Sequence, residues 1–129
     1  MKYRRYRGRS LFQDKWVYGA YLKEGSRHYI ISEVNKNLTA KCIVVYSKSV
    51  NEFVMNFNGE DLFEGDILVN KYSGDYGIIE YNDDYEKYFI RMKRSLINYS
   101  IDCLNDCVNS RDYFEKIGNK WDNPELFKE

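Results

Sequence analysis

Proline and alanine are nearly absent from this chain. One Pro, Pro124, and two Ala, Ala20 and Ala40, occur in 129 residues. Alanine is the best helix former, so its scarcity argues against long helices. There is one histidine, His28, at the start of "HYIISEV". Acid–base chemistry by histidine needs an orienting partner, and the expected place of His28 is a strand edge. Three cysteines, Cys42, Cys103 and Cys107, form an odd set without a secretory leader. That pattern implies free thiols in a reducing cytoplasm. Cys103 and Cys107 could share a helix face, but only Cys42 and His28 are left to complete four zinc ligands, and the usual paired spacing is missing. No metal and no cofactor is expected. No unbroken apolar stretch approaches the ~18 residues of a membrane span. The opening "MKYRRYRGRS" is basic, yet no apolar segment follows it as in a signal peptide. Twenty basic residues balance twenty acidic ones, so no global charge draws the protein to nucleic acid or to an anionic membrane. A phosphate loop, a nucleophile elbow, an HxxxH pair and a CxxC pair are all lacking. The chain does not read as an enzyme.

What is plentiful is aromatic: thirteen Tyr, seven Phe and two Trp. Such residues favour half-buried pleated surfaces. "KWVYGAYL" (15–22), "HYIISEV" (28–34) and "AKCIVVY" (40–46) read as three strands joined by the polar turns "EGSR" and "NKN". "DILVNKY" (66–72), "YGIIEY" (76–81) and "YEKYFIRM" (85–92) form a second run, divided by "SGD" and "NDD". A turn signal about every ten residues suggests a sandwich or small barrel. Ile97, Ile101, Leu104 and Val108 make one apolar stripe, which predicts a short helix near 97–108. "DYFEKIG" (112–118) reads as a last strand. Asn123 then suits a helix N-cap and Pro124 the first helical position. Leu126 and Phe127 would peg the tail to the barrel. The surplus of aromatics also predicts exposed apolar patches and hence a homo-oligomer.

The stretch "NGEDLFEGDILV" (58–69) sets an acidic run against an apolar one. It could be a catalytic loop, with Asp61, Glu64 or Asp66 paired across a cleft. Punctuation is the favoured reading. Asn58-Gly59 fits a tight turn in which Gly59 takes a positive φ. Gly65 lets the chain bend into the next strand, and Asp66 accepts bonds from neighbouring amides.

The start of the chain carries the most suggestive functional signal. Lys2, Arg4, Arg5, Arg7 and Arg9 are interleaved with Tyr3 and Tyr6, with no acid among them. In an extended chain Arg5, Arg7 and Arg9 project to one side. Arginines contact phosphates and tyrosines stack on unpaired bases, so a single-stranded nucleic acid is one expected partner. The competing reading is a charged edge strand that blocks edge-to-edge aggregation.

Several pieces along nearly the whole chain resemble one family. They are "RYRGR" (5–9), "WVYGAYL" (16–22), "NGEDLFEGDIL" (58–68) and "IGNKWDNPEL" (117–126). Together they resemble the YopX family of small proteins encoded by phages and prophages. Arg9-Ser10 stand where that family usually has Trp-Asp, and "NEFVMNF" (51–57) replaces its glycine-bearing loop. The resemblance implies a structural motif at Gly59, Glu64, Gly65, Asp66, Gly118, Asn119, Asn123 and Pro124. Length and strand rhythm suggest a single domain over 1–129, with a β-meander block (1–47), a β block (58–92), and a helix, last strand and C-terminal peg (95–129). The expected fold class is mainly β: a small SH3-like or partly open barrel of short antiparallel strands with one short helix. The resemblance implies no reaction. The expected role is that of a phage or prophage accessory protein in the cytoplasm of a bacterial host. Such a protein would be a non-enzymatic binding module for nucleic acid or for a host or phage protein, the alternative being an inhibitor or decoy of a host enzyme or defence factor.

Overall fold

The computed structural model describes residues 5–32, 41–95, 97–106 and 113–127. The protein is mainly β, with eleven strands in two antiparallel sheets among the described residues. The chain divides into two compact units, Met1–Phe53 and Val54–Glu129. The six-stranded sheet has the order β4-β3-β2-β1-β5-β6, and the five-stranded sheet the order β10-β9-β8-β7-β11.

In the first unit, β1 (Tyr6–Arg9), β2 (Trp16–Glu24), β3 (Arg27–Ser32) and β4 (Cys42–Val45) follow the expected meander. β1 lies along β2 with Arg7 opposite Tyr18 and Arg9 opposite Trp16. Its other side meets the start of β5 (Asn51–Phe57), with Arg7 opposite Asn51. β1 is therefore an interior strand, and the charged-edge reading fails: both of its sides are paired. Past its end, Ser10 bridges Val45 of β4, the Leu11 amide donates to the Val44 carbonyl, and the Tyr46 amide donates to the Arg9 carbonyl. β1 to β4 thus curl round Val17, Ile30 and Val45, with Tyr6, Tyr21, Ile43 and Val50 packed against them. A bridge rather than a full ladder joins β1 to β4, so the barrel stays partly open.

In the second unit, Asn58 and Gly59 both take positive φ, 54° and 81°. Two such residues in succession make the mirror-image turn that suits a hairpin. They join the end of β5 to β6 (Glu60–Phe63). After the Glu64-Gly65 turn come β7 (Asp66–Asn70), β8 (Tyr76–Asn82) and β9 (Lys87–Met92). Among the described residues the predicted helix is represented by α1 (Cys103–Asp106), and the residues before it form β10 (Asn98–Ser100) on β9. Pairing turns Tyr99 inward, with its ring 5.6 Å from Phe114, and leaves Ile97 exposed. Val108 lies outside the described residues. β11 (Phe114–Asn119) pairs with β7 and bulges between Lys116 and Gly118. Phe57, Leu62, Leu68, Ile79, Ile90, Met92, Leu104 and Phe114 form the core of this unit. Each fully buried Leu or Ile there contributes about 1.5–3 kcal/mol.

The acidic-glycine turn organises that unit. Asp66 is 0 % exposed. Its Oδ2 accepts the Phe63 amide at 2.7 Å and lies 3.4 Å from Lys116 Nζ, which also donates to the Asp61 carbonyl. Gly65, at φ 88°, donates to the Ile79 carbonyl and accepts from the Lys120 amide. One turn thereby joins β6, β8 and β11. Glu64 is half-buried in the same turn.

The closing stretch is built round Asn119. Its Oδ1 accepts the Trp121 and Asp122 amides, and its Nδ2 donates to Asp122 Oδ2. Asn123 turns back to accept the Asn119 amide rather than reaching forward over the one-turn 3₁₀ helix Pro124–Phe127. The N-cap expected of Asn123 is thus replaced by a bond backwards along the chain. Gly118 is needed beneath it, since a Cβ there would lie 2.1 Å from Asn123 Oδ1. Lys93 Nζ donates to the Leu126 carbonyl, and the Arg91 guanidinium lies 5.5 Å from the Phe127 ring centre. These contacts peg the tail.

Replacing Asp66 by Ala would remove the acceptor of the Phe63 amide and leave Lys116 without its ionic partner. Unfolding in urea, followed by circular dichroism, should show a loss of about 3 kcal/mol. Asp66→Asn, which keeps an acceptor oxygen, should lose less. Equal losses would mean that the carboxylate charge, and not the amide bond, governs the turn.

Candidate functional site

The basic N-terminal strand is the first candidate. Lys2, Tyr3 and Arg4 lie outside the described residues. Arg5, Arg7 and Arg9 do share one side, as alternation along an extended strand requires, but that side is covered. The Arg5 guanidinium lies 5.0 Å from the Phe53 ring. Arg7 is 3 % exposed, donates from Nε to Asn51 Oδ1 at 3.1 Å, and stacks 4.6 Å from the Trp16 ring. Arg9 lies 5.5 Å from the same ring and pairs with Asp14 at 3.0 Å. Trp16 and Phe53 therefore carry a ladder of guanidinium groups. Tyr6 is turned to the opposite face, where its ring lies 5.4 Å from Tyr21. Arginines held this way support the sheet. Arg7 has too little surface left to meet a phosphate, and Tyr6 is half-buried in the core instead of standing ready for a base.

The remaining singled-out groups are dispersed. His28 Nδ1 lies 2.5 Å from the Tyr21 hydroxyl, and the two rings are stacked. Cys42 is exposed on β4 and Cys103 is half-buried in α1, neither of them in a disulfide, while Cys107 lies outside the described residues. Asp66 is sealed from solvent, so no substrate reaches its carboxylate in this conformation. Asp61 accepts from Asn56 Nδ2 at 3.2 Å.

A second surface was not singled out from the sequence. On the outer face of β9, Lys87, Phe89 and Arg91 stand in a row, while Tyr88, Ile90 and Met92 point the other way. Glu80 and Ser100 flank Phe89, and Ile78 and Asn98 flank Arg91. The turn before β9 is fixed by Asn82, whose Oδ1 accepts the Asp84 and Tyr85 amides. That turn sets Tyr85, 69 % exposed, with its ring 5.7 Å from Phe89 in an edge-to-face arrangement. The result is a groove of about 560 Å³ with Tyr81, Tyr85 and Phe89 as its aromatic walls. Its charges are mutually engaged. Arg91 is ion-paired with Glu80, and Lys87 Nζ lies 5.7 Å from the Phe89 ring. Exposed Asp83, Asp84 and Glu86 rim the turn end. A groove of this composition suits an amphipathic partner better than a polyanion. The alternation in "YEKYFIRM" could have revealed the row Lys87, Phe89, Arg91. What it could not reveal is which neighbours would flank it.

No protein-family model, no curated protein and no solved structure matches this chain. No helix among the described residues is long and apolar enough to cross a membrane.

The ladder predicts unequal costs for its arginines. Arg7→Ala should destabilise the first unit by about 2–4 kcal/mol, from lost packing on Trp16 and the orphaned Asn51 oxygen. Arg9→Ala should cost about 1 kcal/mol or less, as expected of an ion pair whose acidic partner is exposed. Urea unfolding read from Trp16 emission, in a Trp121→Phe background, measures both. Equal and small losses would place Arg7 on the surface.

Proposed function

We propose that this protein is a non-enzymatic binding module whose partner is another protein, held in the aromatic groove on β9. The motif resemblance supports a place among the accessory proteins of phages and prophages, acting in the cytoplasm of a bacterial host. An inhibitor or decoy of a host enzyme is one form that such a module takes.

The observation that carries the reading is the outer face of β9. There Tyr81, Tyr85, Phe89 and Arg91 converge on one groove, and Tyr, Phe and Arg are the residues enriched where proteins bind one another. A fixed turn holds the Tyr85 backbone in place, so little main-chain freedom is lost on association. Arg5, Arg7 and Arg9, which would have met the phosphates of a nucleic acid, lie against Trp16 and Phe53 instead. The acidic rim further disfavours a phosphate backbone.

The test is capture from nuclease-treated bacterial lysate, followed by titration of the purified partner. Tyr85→Ser and Phe89→Ser should each weaken binding at least about tenfold, the loss typical of a central contact residue. Both variants should keep the wild-type melting profile within a few degrees. Capture that disappears on nuclease treatment, or binding that both variants leave unchanged, would overturn the proposal.

A further inference from the structure

The second unit holds another cavity, separate from the β9 groove, and its chemistry is different. It is an open cleft of about 500 Å³ and includes Tyr72, Tyr113, Arg94, Ser73 and Ser95 in its lining, with Met92 and Tyr99 among the inner residues. We infer that it is a binding site for a nucleoside phosphate, with the base stacked on Tyr72 and the phosphate held by Arg94.

Two tyrosine rings stand at the mouth, their centres 4.8 Å apart and tilted by 47°. Tyr72 is 71 % exposed and Tyr113 is 41 % exposed. Rings this open on a folded surface present a π-face to any planar ligand. The backbone that carries them is held in place. Asn70 Oδ1 accepts the Tyr72 and Ser73 amides, the Gly74 amide donates to the Asn70 carbonyl, and the Asn70 amide donates to the Asp75 carbonyl. The Lys71 amide donates to the Tyr113 carbonyl, which fixes the second tyrosine to the same turn.

Arg94 is the one basic and Asp75 the one acidic side chain in the described lining. Asp75 is buried, and its carboxylate accepts the amides of Tyr76, Arg94 and Ser95. Those bonds turn the carboxylate toward the backbone and fix the main chain of Arg94 and Ser95. The Arg94 side chain is exposed and makes no ion pair with a described residue. Its planar fork suits a phosphate. Ser73 Oγ accepts the Asp75 amide and Ser95 Oγ accepts the Ile97 amide, so each hydroxyl keeps its proton to donate. The volume is within the range of about 300–1,000 Å³ usual for small-ligand sites.

Such a ligand has two sources, a free mononucleotide or the end of an unpaired strand. The experiment is calorimetric titration of the full chain at low salt with four probes: a nucleoside monophosphate, the same nucleoside without phosphate, inorganic phosphate, and a short single-stranded oligonucleotide. The monophosphate should bind, and the nucleoside and inorganic phosphate should each bind at least about tenfold more weakly, since each lacks one of the two contacts. Tyr72→Ala and Arg94→Ser should each weaken the monophosphate about tenfold, while Tyr72→Phe should retain it. An oligonucleotide that binds more tightly than the monophosphate, and loses that affinity in both variants, assigns the strand end as the source. The reverse order assigns the free nucleotide. No binding of the monophosphate or the oligonucleotide at millimolar concentration would overturn the inference, as would binding that survives Tyr72→Ala and Arg94→Ser in folded protein. Neither result touches the β9 groove, whose variants leave this cavity intact.

Discussion

Arg7 sits in the middle of the six-stranded sheet with almost no surface in water. A guanidinium in that position is costly unless its donors and its flat faces find partners. Asn51 on the neighbouring strand supplies an acceptor and Trp16 supplies a face. Those partners come from two strands on opposite sides of β1, which ties the register of β1 against β2 to its register against β5. A slip of one residue in either pairing would move Arg7 to the other face. The second unit meets the same demand at Asp66, whose buried carboxylate is met by the Phe63 amide and by Lys116. In both units a buried charge selects one strand arrangement.

This requirement separates the charges that support the fold from the side chains that remain for recognition. Arg5, Arg7 and Arg9 lie on aromatic rings, and Asp66 and Asp75 face backbone amides. What remains exposed and fixed is mainly aromatic: Tyr72, Tyr81 and Tyr85, each next to a second ring. Asx turns at Asn70 and Asn82 anchor the loops bearing Tyr72 and Tyr85. The surplus of tyrosine thus divides between core packing, as at Tyr99, and presentation at two grooves.

The strand rhythm was readable because a period of two and polar turns are local signals. Six strands from β2 to β9 fall where alternation placed them, and the Asn58-Gly59 turn follows from its own residues. Less local features were not readable. "NEFVMNF" carries no turn signal of its own at its start, and it becomes β5 through pairing with β1 across more than forty residues of chain. "NYS" at 98–100 sits inside a helical apolar pattern, yet β9 offers it a ladder. The interior position of β1 depends on the same distant pairing, and with it the fate of the arginines. A run of arginine and tyrosine looks alike whether its side chains meet phosphate or tryptophan. The β9 row was visible as an alternation, but the groove exists because Tyr85 is turned back over Phe89.

Arg5, Arg7 and Arg9 belong to the interior of the sheet. Arginine side-chain NMR tests this claim most directly. The Arg7 Nε–H should appear as a slowly exchanging signal at neutral pH, with cross-relaxation to the Trp16 ring protons. A signal that exchanges with water as fast as that of a free arginine, with no contact to Trp16, would contradict the claim and return the strand to the surface.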